Sequence, residues 1–127
     1  MNNVLDAIRL ADRWVDAWNR RALKSLLALY SDNVEVHSPF VTLMPSVRDA
    51  ALKGKAALTA HFEASWAVGP RDRMVLEDLR LVEGGVTLLV RGGCAPKMAM
   101  DFRLDGDGLI AWSKSRLTRD LPTPRSA

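Results

Sequence analysis

Acid–base chemistry in this sequence has few possible sources. His37 and His61 are its only histidines, and histidine is the side chain whose ordinary pKa allows proton transfer near neutrality. His37 closes the run Val34-Glu35-Val36, and strand alternation turns it away from the face the valines share. It reads as an outer-side histidine, or as a base if that parity is off by one. His61 stands beside Phe62 at the margin of a helical stripe and reads as a rim-of-core histidine with the same reservation. Asp101 and Arg103, two apart on a strand, could form a buried pair, but their outward parity favours surface or interface. Ser38, inward beside the valines, and Trp14, with its indole N–H, offer polar contacts at a reacting centre. The catalytic candidates are therefore Ser38, Trp14, His37 and Asp101. Cys94 is the lone cysteine. No metal-ligand spacing, Ser-His-Asp order, dinucleotide fingerprint or phosphate loop stands out, so no metal and no cofactor are expected.

The remaining candidates are apolar. Trp18, Tyr30, Phe40, Phe62, Trp66, Met98, Met100 and Phe102 fall on faces that converge between helices and strands, with Ser113 and Ser115 as small polar neighbours. Such a lining suits a flat hydrophobic ligand. It equally suits a core filled by its own side chains, methionine being an adaptable gap-filler. Both readings stay open.

The elements that must position these residues follow from periodicity. Val4, Ile8, Ala11, Val15, Trp18, Ala22, Leu26 and Leu29 step by three and four, predicting helix from about Val4 to Tyr30, with Ala7 and Trp14 widening the stripe. Ser31-Asp32-Asn33 reads as a turn, followed by a strand from Val34 to Ser38 that stops at Pro39. Phe40 to Gly54 reads as an apolar loop with one helical turn after Ser46. Lys55 to Ala67 forms a helix with Leu58, Phe62 and Trp66 on one face. Four strands follow: Arg73–Glu83, Val86–Gly92, Lys97–Leu104 and Leu109–Thr118, with Gly-rich turns between them. Alternation sends Val86, Leu88, Val90, Met98, Met100 and Phe102 inward, with Ala111, Ser113 and Ser115. Leu89, Ala99, Asp101, Arg103, Ile110 and Trp112 go outward. An outer face mixing apolar groups with both charges reads as a homodimer patch, or else as a plain solvated face.

At 127 residues and 48% hydrophobic, the chain makes one domain over 1–120, with 121–127 a loose tail. No apolar run near its start suggests a signal peptide or membrane span, and a lone cysteine fits a reducing compartment, so a cytoplasmic location is expected. The net charge of +3 is scattered rather than striped, which argues against a nucleic-acid partner.

Arg13-Trp14-Val15 with Ala17 and Asn19, then Ala28-Leu29-Tyr30-Ser31-Asp32-Asn33-Val34-Glu35-Val36 leading to Pro39, Gly54 before a helix, and Asp105-Gly106-Asp107-Gly108-Leu109-Ile110 resemble the NTF2-like/SnoaL-like superfamily. This superfamily includes ketosteroid isomerases, SnoaL-type cyclases and limonene epoxide hydrolases. The resemblance implies an α+β, cone-shaped, cystatin-like roll: a curved, mostly antiparallel sheet wrapped by three helices around a pocket, usually a dimer. It also implies a helix break near Asn19-Arg20-Arg21. The ketosteroid isomerase base, an Asp before the strand-ending Pro, is Ser38 here. The helix Tyr of its oxyanion hole is Trp14, and its protonated Asp is Met100, one place before Asp101. All three positions differ, so steroid isomerisation by that mechanism is not expected. Asp101 and Arg103 supply only part of the Asp-Arg-Asp set of the epoxide hydrolases. The implied function is binding of a small hydrophobic molecule, with isomerase, cyclase or hydrolase activity left open. The alternative is a non-catalytic dimeric binding or scaffold domain with a self-filled cavity.

Overall fold

The structure, a computed structural model, describes residues 4–37, 51–68, 73–92 and 97–117. Helix α1 spans Val4–Arg20 and α2 spans Leu23–Leu27, so the long helical run breaks where the resemblance implied. Arg21 makes the break with a positive φ of 53°. That left-handed conformation is uncommon for a residue with a Cβ. Helix α3 is Lys55–Val68. The strands are β1 Tyr30–His37, β2 Ala51–Lys53, β3 Val75–Val82, β4 Gly85–Arg91, β5 Met98–Leu104 and β6 Ile110–Leu117. Among the described residues they form one six-stranded sheet in the order β2-β1-β6-β5-β4-β3. In it only β1 and β6 run parallel; the other pairings are antiparallel. The fold is α+β, an open curved sheet wrapped by three helices.

The core lies between the helices and the inner face of the sheet. Val34, Val36, Val86, Leu88, Val90, Met100 and Phe102 fill the sheet side, each 6% exposed or less. Gly85 begins β4 because nothing larger fits: a Cβ there would lie 1.8 Å from the Phe102 carbonyl oxygen. Only a residue without that atom allows so close an approach of two backbones.

Four expectations change. Tyr30 begins β1 rather than ending a helix, and Ser31-Asp32-Asn33 lie within that strand. Tyr30 pairs with Ile110 and Glu35 with Trp112, so an irregularity absorbs the polar residues between. Helix α1 turns a different face inward: Ala7, Leu10, Ala11, Trp14 and Ala17 are buried while Val4 and Ile8 are 56% and 40% exposed. Two overlapping three–four stripes exist on this helix, and the one containing three alanines allows the closer approach. Ala51–Lys53, read as the end of a loop, pairs with β1 as an edge strand. Ile110 is fully buried, not outward, because the β5–β6 register shifts between Arg103 and Leu104 and resets the alternation. Ser38, Phe40, the turn after Ser46 and the 121–127 tail lie outside the described residues.

Candidate functional site

The inner face carries a chain of rings in two tiers. Trp14, Tyr30, Phe62 and Phe102 form the deep tier and are buried. Tyr30 lies 5.9 Å from Phe62 and 6.5 Å from Phe102, and Trp14 lies 6.0 Å from Phe102. These pairs are tilted or edge-on, the arrangements that ring quadrupoles favour. Trp18 and Trp66 form the outer tier and are only partly buried, as are Met74, Leu76 and Met98. Trp18 stacks on Trp14 with centroids 5.5 Å apart and planes 7° from parallel, and meets Trp66 at 5.4 Å and Phe62 at 5.9 Å. Phe62 and Trp66 stack at 5.9 Å.

Backbone anchors hold the outer tier. The Asn19 amide both donates to the Met74 carbonyl at 2.9 Å and accepts from the Met74 N–H at 2.7 Å, tying the end of α1 to the start of β3. The Arg21 guanidinium donates to the Trp66 carbonyl at 2.8 Å, tying the helix break to the end of α3. These bonds give the α1–α2 break a positional role that composition does not reveal.

The polar atoms of this interior are indole N–H donors and hydroxyls that can both donate and accept. The Trp14 indole N–H donates to the Tyr30 hydroxyl at 2.8 Å. Burial pushes the Tyr30 pKa upward, opposed only in part by that bond, so the phenol stays protonated. The Trp66 Nε1 is shielded from solvent and has no partner among the described residues. Ser113 is buried and Ser115 partly buried. His61 sits at the margin, its ring 6.1 Å from Phe62, and burial lowers its pKa.

Of the proposed acid–base groups, the sheet carries His37 and Asp101 on its other side. Asp101 accepts from the Thr87 hydroxyl at 2.7 Å and from Arg116 Nη2 at 3.2 Å. Arg116 Nε is 3.1 Å from the second Asp101 oxygen but off the line of a hydrogen bond, so that contact is ionic only. His37 Nε2 lies 2.6 Å from Glu35, whose pKa is lowered by that bond, and its ring sits 5.6 Å from Trp112. Arg103 covers the Trp112 ring at 4.5 Å, within cation–π range. The structure thus brings Trp14, Trp18, Tyr30, Phe62, Trp66 and Phe102 together, and sets His37 and Asp101 apart from them.

A separate shallow cleft of about 470 Å³ opens where β1 begins, lined by Tyr30, Asp32, Lys55, Asp105 and Asp107 among others. Three of its side chains are engaged: Lys55 lies 3.5 Å from Asp32, and Asp105 accepts the Asp107 and Leu109 backbone N–H groups. Among the described residues no group of three or more His, Cys, Asp or Glu could hold a metal ion.

A family model for the SnoaL-like domain matches residues 11–117. The chain belongs to this family. A SnoaL-like protein of unknown function from Burkholderia thailandensis superposes on this SnoaL-like chain with a TM-score of 0.83 at 22% identity, covering 91% of this chain and 96% of that one. A putative isomerase of the SnoaL-like family from Agrobacterium tumefaciens gives 0.71 at 18% identity, covering 90% and 98%. A computationally designed 17-OHP binder gives 0.66 at 17% identity, covering 91% and 93%. At these identities the likeness is one of fold. No curated protein matches the chain. Among the described residues no helix is long and apolar enough to cross a membrane.

Proposed function

We propose that this SnoaL-like domain binds a small, flat hydrophobic molecule against the outer tier of rings. The observation carrying this reading is that Trp18 and Trp66 remain only partly buried while they stack on buried Trp14 and Phe62. Aromatic faces left open at the end of a packed core are the usual material of apolar ligand sites. The designed 17-OHP binder supports the reading in one respect: the same fold can carry such a pocket. Among the described residues no carboxylate is part of the buried core, which favours binding and orientation over proton-transfer catalysis. If the bound molecule is turned over, isomerase, cyclase or hydrolase chemistry would have to proceed by positioning, with Ser38 as the polar contact, since the one N–H of Trp14 is already given to Tyr30. The lone cysteine supports a cytoplasmic setting. The partner proposed for the outer sheet face is a second copy of the chain, with no role for nucleic acid or membrane.

Native mass spectrometry of freshly purified protein tests this reading. The expected result is a complex carrying a small co-purified mass. Bare protein that also fails to take up 2-acetylnaphthalene overturns it. The second reading, a scaffold domain with a self-filled cavity, is favoured by one observation: Trp14, Tyr30, Phe62 and Phe102 pack on one another at 4% exposure or less, filling the deep end.

A further inference from the structure

The large hydrophobic side chains left exposed among the described residues fall on two elements. Val4, Leu5 and Ile8 belong to the first turns of α1, and Val75, Leu81 and Val82 to β3. These two elements are in contact. Strand β3 also ends the sheet: β4 flanks it on one side, and no described strand flanks it on the other. An edge strand presents a row of N–H and C=O groups that can template another strand. Apolar exposure and an open ladder coincide here.

The edge is regular over only part of its length. Glu77 sits at the irregularity between Leu76 and Asp78, and its carboxylate is held by Arg91 at 3.0 Å and Lys97 at 3.3 Å. Beyond it, Asp78 to Val82 pair with β4 without interruption. Leu79 and Leu81 stand opposite buried Leu88 and Val86, on the helix-bearing face; Asp78 and Arg80 stand opposite Leu89 and Thr87, on the other. The Leu79 N–H donates to the carboxylate of its own neighbour, Asp78 Oδ1, at 2.8 Å. In an antiparallel ladder alternate residues turn their N–H and C=O away from the strand beside them. This bond marks Leu79, and with it Leu81, as turned toward the open edge. A side chain stands there in place of a strand.

We propose that the β3 edge is a self-recognition surface, pairing antiparallel with β3 of a second copy about a two-fold axis through Leu79. An axis normal to the sheet sets residues of the same face opposite one another. Centred on Asp78 or on Arg80, it opposes like charges. Centred on Leu79, it sets each Asp78 opposite the partner's Arg80. Opposite charges so placed stabilise a strand pair, and like charges destabilise it. The Asp78 and Arg80 side chains are 49% and 68% exposed and 3.5 Å apart within one strand, so both can reach across the seam. On pairing, the Leu79 N–H passes from Asp78 to the partner's Leu79 carbonyl, and the released carboxylate turns to the partner's Arg80. The same axis brings both α1 helices to one side of the joined sheet, the side that carries Leu81. This seam is separate from the outer face around Trp112 and does not depend on the ligand site.

Sedimentation velocity on the full chain tests the proposal. The unaltered protein should associate between micromolar and millimolar concentration. Arg80→Asp puts acids opposite acids at the seam and should weaken that association about 10–30-fold. Exchanging the two charges, Asp78→Arg together with Arg80→Asp, should restore it, which a residue serving only its own fold would not do. A monomer at millimolar concentration overturns the proposal, as does a loss that the exchange fails to restore. An association weakened by Trp112→Glu but indifferent to Arg80→Asp belongs to the outer face and overturns it too. A measurement on the unaltered protein guards against a variant that fails to fold. Hydrogen exchange of the Leu79 amide should slow as concentration rises through the association range; a rate independent of concentration overturns the seam.

Discussion

Phe102 and Arg103 are neighbours in β5 and occupy opposite environments. Phe102 is 1% exposed, in ring contact with Trp14 and Tyr30; Arg103 is exposed and lies over Trp112. The contrast extends across the sheet. Its inner face is joined by packed rings and a buried hydrogen bond. Its outer face is joined by ion pairs, Asp101 with Arg116 and Glu77 with both Arg91 and Lys97, all of them partly solvated. Removing a ring from the inner face deletes transfer energy and leaves a cavity, whereas solvated ion pairs contribute about 0–1 kcal/mol each. Stability is therefore concentrated on one side of the sheet.

The outer face also provides its own cover. Trp112 is flanked by Arg103 and His37, and Ala99 is 1% exposed although it stands apart from the core cluster. A mixture that looked unusual for solvent when read from composition is, in three dimensions, partly taken up in local pairs, Asp101 with Thr87 and Arg116 and Arg103 with Trp112. Homodimerisation through this face is a proposal to be decided by sedimentation.

The comparison breaks most directly at β5. Phe102→Ala should cost about 3–5 kcal/mol in urea unfolding, against less than about 1 kcal/mol for Arg103→Ala; similar losses would erase the distinction between the faces. Trp18→Ala should cost roughly 1–3 kcal/mol, below the value for a fully packed tryptophan. The reason is that its ring is only partly buried. It should also weaken binding of 2-acetylnaphthalene, and a full-size loss with binding intact would assign Trp18 to the core alone. Trp112→Glu should shift any dimer toward monomer in sedimentation velocity while changing monomer stability by less than about 1 kcal/mol. Unchanged sedimentation would remove the outer-face dimer.

The smallest effect concerns His61 and Glu35. Burial lowers the His61 pKa below its ordinary value of 6.5. Its neutral form is favoured in the folded state, so its contribution is complete above its ordinary pKa and is lost as pH falls from there through the folded pKa. Urea midpoints between pH 8 and 5 should show this decline, and His61→Leu should flatten it. The Glu35–His37 pair on the other face acts in a more acidic window. Glu35 has a depressed pKa, so its contribution holds above the ordinary value of 4.5 and fades below it.

Legibility differed from region to region for physical reasons. The inward set on β4 and β5 could be read from alternation, since a period of two admits only two faces and one of them was plainly apolar. The α3 stripe Leu58, Phe62, Trp66 was equally readable. Helix α1 was not, because its sequence supports two overlapping stripes and only the sheet selects between them. Ile110 was missed because a register shift between strands leaves no local trace in either strand. The unpaired Trp66 N–H had no signal at all, since whether a donor is paired depends on what other segments bring within roughly 3.5 Å.

By itself the sequence determined most of the helix and strand inventory, which follows from residue type, period and order; the class of fold, and the lack of the ketosteroid isomerase carboxylates at Ser38 and Met100, were what its resemblance to the NTF2-like/SnoaL-like superfamily implied. Tertiary structure alone decided which α1 face is buried and that Tyr30 accepts the Trp14 N–H while the Trp66 N–H meets no acceptor among the described residues. It also decided that Asp101 answers to Arg116 and Thr87 rather than to the interior. These are relations between segments far apart in the chain. The sequence supplies the groups, but their distances and angles exist only once the helices have settled on the sheet.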